Sequence, residues 1–231
     1  TEDVFPGALP DERTLMHVLS GFCARQYSFD RYRSDGEKTI AQRLVVVDAR
    51  ADRLAQLWER QGHIVDAALR VKDLVSEPPN VLSPESMADM AAQLKNCGLD
   101  VTVFDEKALA ELGMGALLGV GQGSARPPRL VVLRWTGDRN PDNPPVVVAG
   151  KGITFDAGGL SLKTRPHMRG MKNDMAGAAV VMELLRCAAE NRLPLNVVGI
   201  LALAENMPSG KALRPDDIIR TMSGKYVEIL S

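Results

Sequence analysis

The sequence has 231 residues, of which 45% are hydrophobic and 25% charged, and its formal net charge is -1. That composition is ordinary for a globular chain of one large or two modest domains, and the near-zero charge excludes a strongly basic nucleic-acid-binding or membrane-surface protein. No stretch approaches the ~18 apolar residues that a membrane span requires. We therefore expect a cytoplasmic protein that engages neither nucleic acid nor a membrane.

The three cysteines, Cys23, Cys97 and Cys187, are odd in number and irregularly spaced. This pattern argues against a disulfide framework and for a reducing compartment, so we expect them to be small buried apolar groups. The chain begins with Thr1 in an acidic stretch without a leader-like apolar region. We take the missing Met as an indication that the sequence was cut from something longer.

The first third of the chain shows apolar residues at helical spacing over 12–24, a short apolar run at 44–47 that predicts a buried strand, and a long helical pattern over 50–76. One helix and one strand cannot bury a core. We therefore expect residues 1–49 to be the end of an N-terminal α/β domain, 50–76 an interdomain helix, and 77–231 part of a second domain.

The second domain begins with Ser83 and Pro84, a helix N-cap followed by proline at the first helical position. That helix should run to Cys97 and end at Gly98. Further strands are predicted at 101–104, 130–133, 195–203 and 226–230, and further helices at 106–112 and 176–190. Alternating strands and helices predict an α/β fold with a mainly parallel sheet flanked by helices.

The stretch 119–123, GVGQG, superficially suggests a phosphate-binding loop. It lacks the glycine spacing of a dinucleotide fingerprint, and Arg126-Pro127-Pro128 would block the helix that should follow. We therefore favour a glycine-rich turn between strands, with phosphate binding as the alternative.

The stretch 146–179, VVVAGKGITFDAGGLSLKTRPHMRGMKNDMAGAA, starts as an apolar run that we expect to break at Gly150. It then places Lys151, Asp156, Lys163 and Asp174 among glycines, before an Ala-rich helical pattern. Buried parallel strands are continuous apolar runs, and ligands collect at their carboxyl ends. We therefore expect the active site here.

The individual residues in this stretch also admit plainer interpretations. Asp174, at a predicted helix start, could simply complement the helix dipole, and lysines beside aspartates could be ordinary ion pairs. His167 is most simply an exposed loop histidine. Convergence at one strand end, with glycines such as Gly158 and Gly159 clearing space, instead suits carboxylates that bind divalent cations.

Four ordered segments, GKGITFDAGGLSLK, MKNDMAGAA, AENMPSGKALRPDDI and MSGKYVEIL, resemble the catalytic domain of the leucyl aminopeptidase family, the cytosol aminopeptidases. The resemblance covers about residues 69–231. It implies a hexameric exopeptidase that uses two divalent cations, zinc or manganese, to release N-terminal amino acids, leucine-like ones by preference, from peptide substrates. Residues 77–231 would be the N-terminal portion of that catalytic domain.

By position, the resemblance implies that Lys151, Asp156 and Asp174 are metal ligands, with Asp156 shared between the two cations. Lys163 resembles the catalytic lysine, whose ammonium would stabilise an oxyanion, and Met171 lines the pocket for the substrate's first side chain. Lys163, Met171, Asp156 and Asp174 together would contact the substrate. As a ligand, Lys151 would have to be a neutral amine, because an ammonium has no lone pair.

In the family, the strand that resembles 226–230 leads into a T-D-A-E-G-R type segment that supplies a bridging Asp, a Glu and an Arg that binds a bicarbonate-type anion. This sequence contains no such segment, so we expect the 231-residue chain to hold only part of the site and to be inactive by itself. Two other readings remain: a catalytically silent family member that serves as an oligomerisation or binding module, and a phosphate or nucleotide binder that uses residues 119–123.

Overall fold

The computed structural model describes residues 11–34, 44–140 and 142–230. The acidic N-terminal stretch and most of the polar connector after Ser34 lie outside these residues. The chain divides into two compact units, Thr1–Leu69 and Arg70–Ser231, and the boundary falls inside one long helix. The predicted division at 49 and 76 stays a prediction.

The first unit contains helix α1 (Glu12–Gln26) and the beginning of helix α2 (Ala51–Ser76). Asp11 caps α1 by accepting a 2.9 Å hydrogen bond from the Thr14 backbone N–H. Leu15, Met16 and Leu54 form a small buried cluster. Within the described part of this unit, packing is therefore helix against helix.

The predicted strand at 44–47 is wrong. These residues belong to no strand, and Val45 and Val47 are 60% and 83% exposed. A strand is defined by its partner, and the described residues of this unit offer none. Four consecutive apolar residues do not form a strand without a neighbouring strand to pair with.

The second unit contains the remaining elements. Its helices and strands, in chain order, are α3 (Pro84–Ala92), β1 (Asp100–Phe104), α4 (Glu106–Glu111), α5 (Gly115–Gly121), β2 (Arg129–Thr136), β3 (Val146–Asp156), α6 (Arg165–Met168), α7 (Ala176–Glu190), β4 (Asn196–Asn206), β5 (Ile218–Arg220) and β6 (Tyr226–Glu228). The predicted cap of α3 is confirmed: Ser83 accepts from the Ser86 N–H and Pro84 is the first helical residue. A 3₁₀ helix, Gln93–Cys97, continues α3 and ends at Gly98, whose φ is +85°.

The main sheet has four strands in the order β1-β2-β4-β3. The β1–β2 and β2–β4 pairs are antiparallel, and only the β3–β4 pair is parallel. The α/β class is confirmed, but the expected mainly parallel sheet is corrected to a mixed one. Sequence alternation of strands and helices does not reveal direction when β1 and β2 are joined by two short helices, α4 and α5. Strands β5 and β6 form a separate antiparallel pair.

Helix α7 connects the parallel pair and packs very closely on β3. A Cβ added to Gly150 would lie 2.5 Å from the Gly177 carbonyl oxygen and 2.6 Å from the Ala178 Cα, distances that backbone atoms cannot relieve. The expected break at Gly150 is wrong. Gly150 instead lets β3 continue to Asp156 beneath the helix. The same closeness buries Ala178 completely.

The glycines of 119–123 also serve packing. Gly119 and Gly121 lie in α5, so the expected turn between strands is wrong. A Cβ on Gly119 would meet the Leu213 side chain at 2.9 Å, and one on Gly123 would meet the Met207 carbonyl oxygen at 2.1 Å. These contacts account for the glycines without a phosphate.

The core of the second unit lies between the sheet and helices α3 and α7, and it includes the fully buried Leu133, Leu201, Leu203, Met182 and Leu185. The three cysteines form no disulfide, and each is partly rather than fully buried. Among the described helices, none combines the length and apolar character needed to cross a bilayer.

The close packing of α7 on β3 predicts that Gly150→Ala destabilises the second unit. The added methyl must push backbone atoms of Gly177 and Ala178 aside, which should cost about 1–3 kcal/mol. The matched control is Gly210→Ala, because a Cβ at Gly210 meets nothing within 4 Å. Urea unfolding of both variants measures the difference, and equal stability would contradict the tight contact.

Candidate active site

The carboxyl end of β3 carries a β-bulge that sets the position of Asp156. Ile153 pairs with Ala204, but the next pairs are Phe155 with Glu205 and Asp156 with Asn206. The extra residue is Thr154, which is 1% exposed and whose hydroxyl lies 3.3 Å from the Ala204 carbonyl oxygen. The bulge therefore brings Asp156 level with Asn206, the last residue of β4.

A tight turn follows Asp156. Gly158 and Gly159 have φ values of +88° and +65°, a left-handed backbone that glycine adopts without strain. The Gly158 N–H donates a 2.9 Å hydrogen bond to Asp156 Oδ1, and the Lys163 N–H donates a 2.9 Å bond back to the Ala157 carbonyl. The chain thereby folds back and returns Lys163 to the end of its own strand.

Lys163 and Asp156 form the first ion pair of the site. Lys163 Nζ lies 2.5 Å from Asp156 Oδ2 and 3.2 Å from the Met171 sulfur. Both charged side chains are mostly buried, at 28% and 17% exposure. The structure thus brings together Lys163, Asp156 and Met171, three of the residues that the sequence selected.

The pKa of Asp156 lies below its ordinary value. Burial, the largest single influence, raises the pKa, but the hydrogen bonds from Lys163, the Gly158 N–H and Asn206, with the Lys163 charge, outweigh it. Asn206 Nδ2 donates to Asp156 Oδ1 at 2.8 Å. Asp156 is therefore a carboxylate at neutral pH.

Lys151 and Asp174 form the second ion pair, with 2.8 Å between Lys151 Nζ and Asp174 Oδ2. Lys151 is 62% exposed and Asp174 21%. The two groups are close without being aligned for a hydrogen bond, so Asp174 Oδ2 is a buried carboxylate oxygen that lacks a hydrogen-bond donor. Salt screening should weaken the pair on its exposed lysine side.

Asp174 does not cap helix α7. It follows a 3₁₀ turn, Met171–Asn173, and precedes the N-cap residue Met175, where no side-chain capping bond is made. Its backbone carbonyl instead accepts a 3.3 Å bond from the Ile153 N–H of β3. Asp174 therefore lies just before α7, outside its first turn, and its backbone is bonded to β3.

Among the described residues, His167 forms a hydrogen bond with Thr164 and none with either ion pair. It is exposed in the short helix α6, and its Nδ1 is 2.8 Å from the Thr164 hydroxyl. Asn206, by contrast, contacts the site and was missed by sequence reasoning. Its only signal was its place in the AENMPSG segment, immediately after a predicted buried strand.

The donor set fits a divalent cation in part. Asp156 and Asp174 are carboxylates with one oxygen each beside a lysine, and the Asp174 oxygen has no hydrogen-bond donor. Such oxygens suit hard or borderline cations. However, the described residues contain no cluster of three or more His, Cys, Asp and Glu side chains that could hold a metal, so Lys151 would have to complete the set.

The fold and this site define an α/β protein in which one lysine–aspartate pair lies at the carboxyl end of β3 and a second at the middle of that strand. Residues 70–231 match the family described as the cytosol aminopeptidase family, catalytic domain. The chain belongs to the cytosol aminopeptidase family, and the resemblance inferred from its motifs is confirmed.

Relatives in two bacteria carry the same family name. A probable cytosol aminopeptidase of Nitrobacter hamburgensis is 45% identical over 232 residues, which cover 98% of this chain and 46% of the relative. One of Rhodopseudomonas palustris is 43% identical over 235 residues, covering 99% of this chain and 46% of the relative. The chain thus spans just under half the length of these relatives.

Solved structures share the fold. The bottromycin maturation enzyme BotP in complex with Mn superposes with a TM-score of 0.83 at 36% identity, covering 97% of this chain and 47% of BotP. The apo leucyl aminopeptidase from Trypanosoma cruzi gives a TM-score of 0.70 at 36% identity, covering 73% of this chain and 33% of that protein.

The Lys163–Asp156 contact predicts how Asp156 titrates. In metal-free Lys163→Met, the hydrogen bond and positive charge that lower the pKa of Asp156 are removed, while burial still raises it. The pKa of Asp156 should therefore rise above the wild-type value. Because the folded-state pKa is depressed in the wild type, Asp156 contributes stability above its unfolded pKa, and this contribution is lost as the pH falls through the folded pKa. The stability gap between the two proteins should therefore shrink in acid.

Carboxyl carbon NMR of Asp156 measures the shift directly, and unfolding at pH 7 and pH 3 measures the gap. Lys211→Met, which changes an exposed lysine, is the control. An Asp156 titration that is the same in Lys163→Met and the control would show that the contact has no electrostatic effect.

Proposed function

We propose that this chain contributes to a metal-dependent aminopeptidase that releases N-terminal amino acids, leucine-like ones by preference, from peptides. The observation that carries the proposal is a pair of contacts along one strand: Lys163–Asp156 at the carboxyl end of β3, and Lys151–Asp174 at its middle. Membership of the cytosol aminopeptidase family supports it. The BotP complex with Mn supports a divalent cation, and we propose manganese or zinc.

In this proposal, Lys151, Asp156 and Asp174 would hold the cations, and Asp156 would be the shared ligand. Bound cations would supply Lewis-acid polarisation of a carbonyl and a more acidic water. The two carboxylates also offer anionic partners for the free α-amino group of a peptide, which accounts for a preference for N-terminal residues. The homohexamer, the cytoplasmic location and the bicarbonate-type anion implied by the resemblance remain part of the proposal.

Lys163 has a separate task in this proposal. Its ammonium is held between a carboxylate oxygen and the Met171 sulfur, a position fixed by the Gly158-Gly159 turn. A positive charge fixed in advance in a mostly buried place stabilises a developing oxyanion with little reorganisation. Met171 then forms the wall beside Lys163, where we place the substrate's first side chain.

A catalytically silent family member that serves as an oligomerisation or binding module is the second candidate. It is favoured by the fact that each aspartate already has a lysine partner, so both carboxylates are compensated without a cation. The phosphate-binder reading has lost its support, since packing accounts for the glycines of 119–123.

Peptidase activity separates the two candidates. The complete polypeptide, supplied with manganese or zinc, should release leucine from a leucine-initiated peptide but not from the same peptide with an acetylated N-terminus. If neither peptide is cleaved under conditions where both cations bind, the silent-member candidate is supported and the aminopeptidase proposal is overturned.

Lys163→Ala in the complete polypeptide should lower kcat by about 10²–10³, the usual effect of losing one oxyanion donor. Metal content should stay near that of the wild type, because Lys163 stabilises charge and is not a ligand. Elemental analysis beside steady-state kinetics tests this, with the exposed Lys211→Ala as control. Loss of a stoichiometric cation in Lys163→Ala would contradict the assigned role.

Asp156→Asn should weaken the binding of both cations, whereas Asp174→Asn should weaken mainly one. The reason is that the shared ligand touches two cations and the other ligand one. Calorimetric titration of the metal-free proteins with manganese resolves the two sites. The bridging role is wrong if Asp156→Asn retains two normal binding events.

A further inference from the structure

We propose that Asn206 is a positioning residue that holds the Asp156 carboxylate in the orientation needed to bind a cation. The inference rests on the proposed function, in which Asp156 is a ligand. It rests on a hydrogen bond that joins the ends of the two parallel strands, Asn206 Nδ2 to Asp156 Oδ1 at 2.8 Å.

The two oxygens of Asp156 have different surroundings. Oδ1 accepts from two neutral donors, the Gly158 N–H at 2.9 Å and Asn206 Nδ2 at 2.8 Å. Oδ2 faces the Lys163 ammonium at 2.5 Å. Oδ1 is therefore held by neutral donors, which leave the negative charge of the carboxylate in place. Oδ2 is the oxygen that faces Lys163.

The amide of Asn206 is itself fixed in orientation. A carboxylate can only accept hydrogen bonds at neutral pH, so Asn206 must present its NH₂ group to Asp156. Its Oδ1 is then directed at the turn, where a Cβ on Gly159 would lie only 2.9 Å away. In addition, the Asn206 carbonyl accepts from the Ala157 N–H at 2.9 Å.

Asn206 thus contacts Asp156 through its side chain and the next residue, Ala157, through its backbone carbonyl. Partners of this kind orient metal-binding side chains, and their loss typically costs about 10–100-fold in metal affinity or activity. Asn206 does not need to touch the cation or the substrate for this effect. It acts by restricting rotation of the carboxylate that does.

The test measures manganese binding to the metal-free complete polypeptide by calorimetry. Asn206→Ala removes the donor, and Asn206→Leu removes it while keeping a side chain of similar size. Both should weaken manganese binding by about 10–100-fold. Leu serves as the second variant if the cavity left by Ala prevents folding.

The matched control is Asn196→Ala. Asn196 begins the strand that Asn206 ends, it is 8% exposed, and its Nδ2 donates to the Asn143 carbonyl at 3.0 Å. Removing its amide should lower the unfolding temperature but leave manganese affinity unchanged. This control separates loss of a buried hydrogen bond from loss of a positioned ligand.

Weaker binding in both Asn206 variants, with normal binding in Asn196→Ala, supports the inference. It is overturned if the Asn206 variants lose only thermal stability and bind manganese as the wild type does, or if Leu alone weakens binding. A wild-type protein that binds neither manganese nor zinc would overturn the proposed function, and this inference with it.

Discussion

The close contact between helix α7 and strand β3 is the constraint on which the site depends. Gly150 and Gly177 allow the helix backbone to approach the strand backbone, since a Cβ on Gly177 would lie 3.0 Å from the backbone nitrogen of Lys151. The segment just before α7 is therefore held against β3, where the Asp174 carbonyl accepts a hydrogen bond from the Ile153 N–H. This packing places Asp174 beside Lys151, although twenty-three positions separate them in the sequence.

Much of the local structure followed from the sequence because its causes are local. Ser83 and Pro84 begin a helix, Gly98 ends one with positive φ, and the Ala-rich pattern predicted α7 at the bounds observed. The same is true of the short loop that returns Lys163 to Asp156, since two consecutive glycines permit the left-handed turn. The selection of Lys151, Asp156, Lys163, Met171 and Asp174 came from motif resemblance as much as from chemistry.

The features that could not be predicted arise from contacts distant in sequence. The relative direction of β1 and β2 depends on how α4 and α5 pack between them. The apolar pattern of the strands does not indicate that direction. The glycines of α5 gain their meaning only from neighbours such as Leu213 and Met207. Asn206 was missed for a similar reason: nothing in its own surroundings along the chain indicates that Asp156, fifty residues earlier, is its partner.

The bulge at Thr154 divides β3 into two segments that pair with β4 in different registers. Up to Ile153, each residue pairs with the β4 residue fifty-one positions ahead, and from Phe155 the offset is fifty. The position of the first segment is set by packing against α7. The position of the second is set by the hydrogen bond from Asn206 and by the glycine turn. A substitution that shifts the strand beneath α7 therefore need not turn Asp156, because the register is set anew after Thr154.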